Sequence, residues 1–305
     1  MNEKNWSKVN KKAYEKVGSY YDFCRPNFEI KEFKELIERG YFGVDMHVHS
    51  CYSPDSSTSV ESLLLKAKKE GFGLAITDHN SVEGSLLANK LATSESRFKN
   101  ILVIPGVEVT CSEGVHILFY FYSFDDLKKF NQEIIIPNLL NAMRLTISHF
   151  ELLKRVKKYS CLISAAHPFG SGSCGLYKLN KHADLDVLEG INGTISHKKN
   201  IRIQTLGVET HKKFTAGSDA HVLDYVGSVA VFCKNKSIKG VLDSIKKGQV
   251  IICGSEIGFF RYIKVNFNKE LSLLVKMGLK NYAKNRSLSI LSALGLVKLR
   301  GRFSK

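Results

Sequence analysis

From residue 42 onward the chain alternates short apolar runs with amphipathic stretches. Segments 42–49, 74–77, 101–109, 115–121, 161–168, 185–189 and 214–221 read as strands, with 226–232 a further candidate. The stretches between them carry helix signals. Ser59-Val60-Glu61-Ser62 opens one helix, with Ser59 and Ser62 competing as its cap, Leu63, Leu64 and Ala67 on its apolar face and Gly71 at its end. A second runs through Leu91, and a long helical stretch is predicted over 125–158. Upstream, Phe28, Ile30, Phe33, Leu36 and Ile37 recur near helical spacing and predict a helix over 29–39, stopped by Gly40. Repeated strand–helix units imply a mainly parallel sheet in an α/β fold. Roughly seven strands in about 200 residues suit a closed (β/α) barrel better than an open sheet.

Composition narrows this picture. With 305 residues, 44% of them hydrophobic, the chain can bury a sizeable core, in one large domain as readily as in two small ones. The first twenty residues are polar, unlike a secretory leader, and no uncharged apolar run reaches the ~20 residues that span a bilayer. The seven cysteines are scattered, odd in number and never in Cys-x-x-Cys spacing, which argues for reduced thiols and a cytoplasmic protein. The formal charge of +16 is uneven: from Arg261 to Lys305 there are eleven Lys or Arg and one acid, Glu270, so this tail carries +10 of it. Three parts are expected: an N-terminal helical extension (1–40), a barrel (41–255) and a basic amphipathic C-terminal extension (256–305).

The chemistry-bearing residues gather where the apolar runs stop. His47 and His49 lie two apart on a strand, so their side chains share a face. Imidazole is the commonest metal ligand, and such a pair supplies half a site. The ends of other runs add His79, Glu108, His116, His167, Asp219 and His221, and the loop after His49 adds Asp55. Taken singly, a strand-end histidine is more often a core or surface residue than a ligand. Nine candidates at the ends of so many runs are hard to explain that way. Mixed nitrogen and oxygen donors suit Mn, Zn or Fe rather than Cu(I) or an iron–sulfur cluster. Glu108 has two oxygens with which to bridge two ions, and a hydroxide bound between ions is a strong nucleophile at neutral pH. His149, His182, His197 and His211 lack partners in the sequence and read as structural; Asp78 reads as a turn or supporting residue.

In chain order stand Asp45-Met46-His47-Val48-His49-Ser50, Ile76-Thr77-Asp78-His79-Asn80, Pro105-Gly106-Val107-Glu108-Val109, His116-Ile117-Leu118, Ala166-His167-Pro168-Phe169 and Gly217-Ser218-Asp219-Ala220-His221. With these motifs, roughly two-thirds of the chain resembles the PHP family (polymerase and histidinol phosphatase domains). The resemblance implies a distorted seven-stranded barrel and a cofactor set of two or three divalent ions. It places His47, His49, Glu108 and Asp219 on a first ion, where they would carry catalysis. Glu108, as a bridge, joins His116 and His167 on a second, and Asp55, His79 and His221 hold a third. A rival family, the amidohydrolases, also begins with His-x-His but commonly bridges its metals with lysine, so Glu108 and the Asp219-x-His221 pair favour PHP.

The implied reaction is metal-dependent phosphoester hydrolysis by an activated hydroxide, on a nucleotide or small phosphorylated metabolite. The alternative is a nuclease acting on nucleic-acid ends with the basic tail as anchor. A third reading is a non-catalytic, metal-stabilised binding module. Some relatives carry an arginine after His-Pro that grips phosphate. Phe169-Gly170 stand here instead, leaving Arg144, Lys178, Lys198, Lys199 and Arg202 as available cations, while Glu189 and Asn192 resemble pocket-lining residues. In the tail, Lys276, Lys280 and Lys284 recur every four residues and would form one cationic stripe on a helix. Three roles stay open for it: a helix closing the barrel with its basic face in solvent, a nucleic-acid contact, or an interfacial helix on anionic lipid.

Overall fold

The computed structural model describes residues 30–170, 184–256, 267–276 and 278. A helix, α1 (Ile30–Glu38), leads into β1 (Phe42–Val48). Then follow α2 (Val60–Glu70), β2 (Gly73–Ile76), α3 (Glu83–Ser94), β3 (Val103–Thr110) and β4 (His116–Phe121). After α4 (Phe124–Phe130) come the short hairpin β5 (Leu139–Asn141) and β6 (Arg144–Leu145), α5 (His149–Val156) and β7 (Cys161–Ala165). The series continues with β8 (Val187–Asn192), α6 (His197–Glu209), β9 (Lys213–Gly217), β10 (Val229–Cys233), α7 (Ile238–Lys247) and β11 (Ile251–Gly254). Residues 267–276 are helical.

The sheet has nine strands, in the order β11-β10-β1-β2-β3-β4-β7-β8-β9, where the sequence pointed to seven. It curls until its far strand meets β1. The Asp219 amide donates to the His47 carbonyl at 2.7 Å and the His49 amide to the Ala220 carbonyl at 2.9 Å, beside a bridge between Val48 and Ala220. Gly217 makes that approach possible, because a Cβ there would fall 2.3 Å from the Cβ of His47.

The expectation of a mainly parallel sheet needs correcting. β1–β2–β3 and β7–β8–β9 pair in parallel, but β4 runs antiparallel to both β3 and β7, and β10 antiparallel to β1 and β11. Only residues 111–115 link β3 to β4, too few for the crossover a parallel pair requires. The single helix expected over 125–158 is also absent. After α4 the chain passes through a π-helical turn, Asn131–Ile135, and Pro137 stands where continuing a helix would cost a hydrogen bond. The chain instead forms the β5–β6 hairpin and starts again at α5, whose cap Ser148 accepts from the Glu151 amide.

Other local signals act as their chemistry dictates. Ser59 wins the competition to cap α2, accepting from the Ser62 amide, and Gly71 ends that helix in the left-handed conformation. Leu63 and Leu64 on α2 are fully buried, each contributing about 1.5–3 kcal/mol of apolar transfer. The main core joins inward residues of nearly every strand, among them Met46, Ile104, Phe119 and Phe214. No helix among the described residues is long and apolar enough to cross a membrane.

Candidate metal centre

All nine residues singled out in the sequence meet at one end of the curled sheet. His47 comes from the end of β1 and His49 from just beyond it; His79 follows β2, and Glu108 lies on β3. His167 follows β7, and Asp219 and His221 follow β9. His116 is the first residue of β4, yet that strand is antiparallel to β3, so Thr110 pairs with His116 and the imidazole arrives at the same end. Eight of the nine are buried and His116 nearly so. Asn80, His167 and Asp219 have positive φ, at 49°, 29° and 52°. Such conformations cost energy away from glycine and persist where surrounding contacts impose them.

The inner geometry fits a cation. His47 Nε2 lies 3.1 Å from His49 Nε2. Both nitrogens face Glu108 Oε2, at 3.4 Å each, and Asp219 Oδ1, at 3.5 and 3.2 Å. Four donors bonded to one ion at about 2.0–2.1 Å in a tetrahedron stand about 3.3–3.4 Å apart. Five of the six edges of this tetrahedron are thus measured, and all lie close to that value. The other oxygen of Glu108, Oε1, faces His116 Nδ1 at 3.0 Å and His167 Nε2 at 3.2 Å. Glu108 therefore presents one oxygen to each of two imidazole pairs, while His79 Nδ1 stands 3.1 Å from Oε2. Asp55 Oδ2 lies 2.9 Å from His221 Nε2 and 3.6 Å from His79 Nε2. Three groups have donors close enough to share an ion: His49, Asp55, His79 and His221; His47, His49 and Asp219; and His79, Glu108 and His116.

Hydrogen-bond direction supports the same fit. His221 Nδ1 lies 2.9 Å from the Asp219 carbonyl, which can only accept, so Nδ1 holds the proton and Nε2 aims a lone pair toward Asp55. Among the described residues, His221 Nε2 and Glu108 Oε2 make no hydrogen bond although both are buried. Buried acceptors left facing one another are costly unless a positive charge lies between them.

Behind these groups stands a layer of carboxylates and amides. Glu189 Oε1 lies 2.8 Å from His47 Nδ1, and its Oε2 accepts from the His167 amide at 2.7 Å and from Asn192 Nδ2 at 2.9 Å. This arrangement orients His47 with Nε2 toward the cluster. Thr194 Oγ1 and Asn192 Nδ2 donate to Asp219 Oδ2, at 2.7 and 3.3 Å, leaving Oδ1 for the histidines. Asp45 accepts from the Ser218, Gly227 and His47 amides, tying β1 to the β9 end. Asp78 accepts from both the amide and the hydroxyl of Ser50, each at 2.6 Å, a supporting role.

Burial and charge set the protonation of the cluster. Burial disfavours charge on His47, but the carboxylates of Glu189, Asp219 and Glu108 outweigh it and hold its pKa well above the ordinary value. Burial and the neighbouring His221 push His49 well below it. Burial would raise Glu108, Asp219 and Asp55, yet the surrounding imidazoles, with Lys269 beside the two aspartates, hold all three well below the usual carboxylate range. Burial raises Asp45 to about 6 and Asp78 to about 7.

Two of the histidines read as structural are engaged elsewhere, His149 against Glu113 and His197 against Glu256, while His182 lies outside the described residues. Of the cations offered for phosphate, Arg144 donates to the Ser112 carbonyl and Arg202 lies over the Phe169 ring, 4.2 Å from its centroid; Lys178 lies outside the described residues. Two cations outside that set do reach the site residues. Lys269 Nζ lies 3.6 Å from Asp55 Oδ2, and Lys276 donates to three carbonyls of the Asp55 loop. The four-residue lysine spacing was visible in the sequence, but the docking of Lys276 onto a loop more than 200 residues earlier was not. Lys280 and Lys284 lie outside the described residues.

The model of the PHP domain matches residues 45–211, and that of the PHP-associated family matches residues 198–250. Among solved structures, the chain is similar to the lesion-specific endonuclease PfuEndoQ from Pyrococcus furiosus, with 20% identity and a TM-score of 0.56 over 70% of this chain and 57% of that one. PsfC from Pseudomonas syringae is 16% identical with a TM-score of 0.56, covering 76% of this chain and 99% of its own. A two-domain protein from Bacteroides vulgatus, containing a predicted PHP-like metal-dependent phosphoesterase, is 16% identical with a TM-score of 0.51, covering 75% of this chain and 70% of that one. At these identities the likeness is one of fold. The chain spans little more than half the length of the endonuclease, 57%. No curated protein matches it.

Proposed function

The chain belongs to the PHP domain family, and from that membership we propose that it is a hydrolase of phosphomonoesters, acting on a nucleotide or small phosphorylated metabolite in the cytoplasm. The observation that carries this reading is the two-sided carboxylate of Glu108, with His47 and His49 on one oxygen and His116 and His167 on the other. In this reading His47, His49, Glu108 and Asp219 hold a first divalent ion, Glu108, His116 and His167 a second, and Asp55, His79 and His221 a third, with Mn, Zn or Fe as the fitting metals. Such ions, when bound, acidify water at neutral pH and offset charge on a phosphoryl group. The remaining work falls to the protein. Glu189 keeps the proton of His47 on Nδ1, so that Nε2 stays free to bind. Thr194 and Asn192 fix Asp219, and the Asp219 carbonyl fixes His221. Burial of the inner wall excludes bulk water and strengthens each electrostatic contact.

The barrel proposed for this chemistry spans 41–255, with 1–40 and 256–305 as extensions; its core of seven strands would be β1–β4 and β7–β9. The +10 charge of the tail favours a second reading, a nuclease acting on nucleic-acid ends with that tail as anchor. Release of inorganic phosphate from a panel of phosphomonoesters with added Mn, beside cleavage of single-stranded oligonucleotides, separates the two. Phosphate release that His47→Ala and Asp219→Ala each abolish, with the fold retained, is the expected result. A metal-loaded protein that turns over no phosphomonoester would overturn the first reading.

A further inference from the structure

The helical segment 267–276 lies beyond both family matches, which end at residues 211 and 250, yet it touches the candidate centre. Lys269, Ser272 and Lys276 stand at i, i+3 and i+7 and share one helix face. That face rests on the loop carrying Asp55. Ser272 Oγ donates to the Pro54 carbonyl at 3.3 Å. Lys276 Nζ donates to the carbonyls of Cys51, Ser53 and Ser56, at 2.8, 2.6 and 2.5 Å. An ammonium has three donors, and here all three are used on one short loop. On the same face, two turns nearer the helix start, Lys269 Nζ lies 3.6 Å from Asp55 Oδ2, its side chain 24% exposed against 7% for the aspartate. The ammonium thus stands at the rim, between solvent and the buried imidazoles and carboxylates.

We propose that Lys269 binds the phosphoryl oxygens of the substrate from the rim, and that Lys276 is a positioning residue that holds the Asp55 loop and, with it, the helix carrying Lys269. The proposal rests on the phosphoesterase reading above. A phosphomonoester brings up to two negative charges to a site whose inner wall is imidazole and carboxylate. A flexible ammonium at the mouth supplies the matching point charge, reaching the ligand without a fixed fork. Of the other cations, Arg144 already donates to the Ser112 carbonyl and Arg202 lies over the Phe169 ring.

The test uses the full chain loaded with Mn and compares wild type with Lys269→Met, Lys269→Arg and Lys276→Met. Calorimetric binding of inorganic phosphate reads the site without turnover, so the result stands whatever the natural substrate. Removing one charge-assisted contact is expected to weaken phosphate binding about tenfold in Lys269→Met and to raise KM for a phosphomonoester in proportion. Metal content should match wild type, and Lys269→Arg should recover part of the affinity. Lys276→Met should lose metal as well as phosphate affinity, because it frees the Asp55 loop. Phosphate affinity in Lys269→Met within twofold of wild type would overturn the proposal. So would uptake of one extra ion per chain at wild-type phosphate affinity, which would make Lys269 a stand-in for a cation at Asp55. Normal phosphate binding by a wild-type protein that hydrolyses no phosphomonoester would fault the phosphoesterase reading while upholding the phosphate site.

Discussion

Replacing Glu189 by glutamine changes one atom and removes a charge, and the geometry leaves the amide no good orientation. Oε1 faces His47 Nδ1 at 2.8 Å, while Oε2 accepts from two donors, the His167 amide at 2.7 Å and Asn192 Nδ2 at 2.9 Å. If the new NH2 points at those two, buried donors meet donors, each conflict costing ~1–3 kcal/mol. If it points at His47 instead, Nδ1 must become the acceptor: without the Glu189 charge that favoured the imidazolium, the ring gives up its Nδ1 proton and keeps the one on Nε2, the nitrogen that faces the cluster. The metal-free protein should take this second orientation at little cost. Binding an ion needs the Nε2 lone pair, so the glutamine must then turn and meet both conflicts. At the lower end that is about 2 kcal/mol, or about 30-fold in affinity, within the 10–100-fold typical of losing a partner behind a metal ligand. Calorimetric Mn titration and urea unfolding of the chelated protein check both halves. The expected pattern is an unfolding midpoint near that of wild type with Mn affinity down by at least about 30-fold. Wild-type Mn affinity in Glu189→Gln would refute the role assigned to Glu189.

Gly217→Ala should cost ~3 kcal/mol or more of stability, because the new methyl would fall 2.3 Å from the Cβ and 2.5 Å from the backbone nitrogen of His47; a thermal midpoint equal to that of wild type would contradict the close approach of β9 to β1. Burial raises the Asp78 carboxyl to about 7 from 3.8, so its contribution to stability is fully present below pH ~4 and is lost as pH rises through about 7. The chelated protein should therefore lose about 4 kcal/mol relative to Asp78→Asn between pH 4 and 8, by urea unfolding; parallel pH profiles for the two would show that the carboxyl is ionised throughout. With residues 279–305 removed, phosphomonoester hydrolysis should be unchanged if the phosphomonoester reading holds, whereas a loss confined to oligonucleotide substrates would favour the nuclease.

The site was more legible in the sequence than the sheet that builds it. His47 and His49 share a face through strand alternation alone, and Glu108, His167, Asp219 and His221 lie within or just beyond apolar runs that any parallel strand would end at the same rim. His116 reaches that rim for another reason, the reversal of β4, which the short link after Thr110 dictates. Pro137 sat in plain view inside the stretch read as one helix, but the apolar residues around it kept a helical spacing that tertiary packing overrode. Strand β11, Ile251–Gly254, falls outside the runs read as strands and draws its stability from pairing with β10. Glu189 and Asn192 resemble pocket-lining residues in the sequence, but both are fully buried behind the cluster, and their hydrogen bonds to His47 and Asp219 depend on how β8 lies against its neighbours. Lys269 and Lys276 were unreadable as site residues, because nothing local in a lysine spacing says which face of the helix will dock, or on what.

Anomalous diffraction from Mn-soaked crystals measures most directly whether these nine side chains grip several ions together. At least two peaks should appear inside the ring they form, about 3.5–4 Å apart, with the carboxylate of Glu108 between them. A single peak there, or manganese bound only at surface carboxylates, would contradict the account.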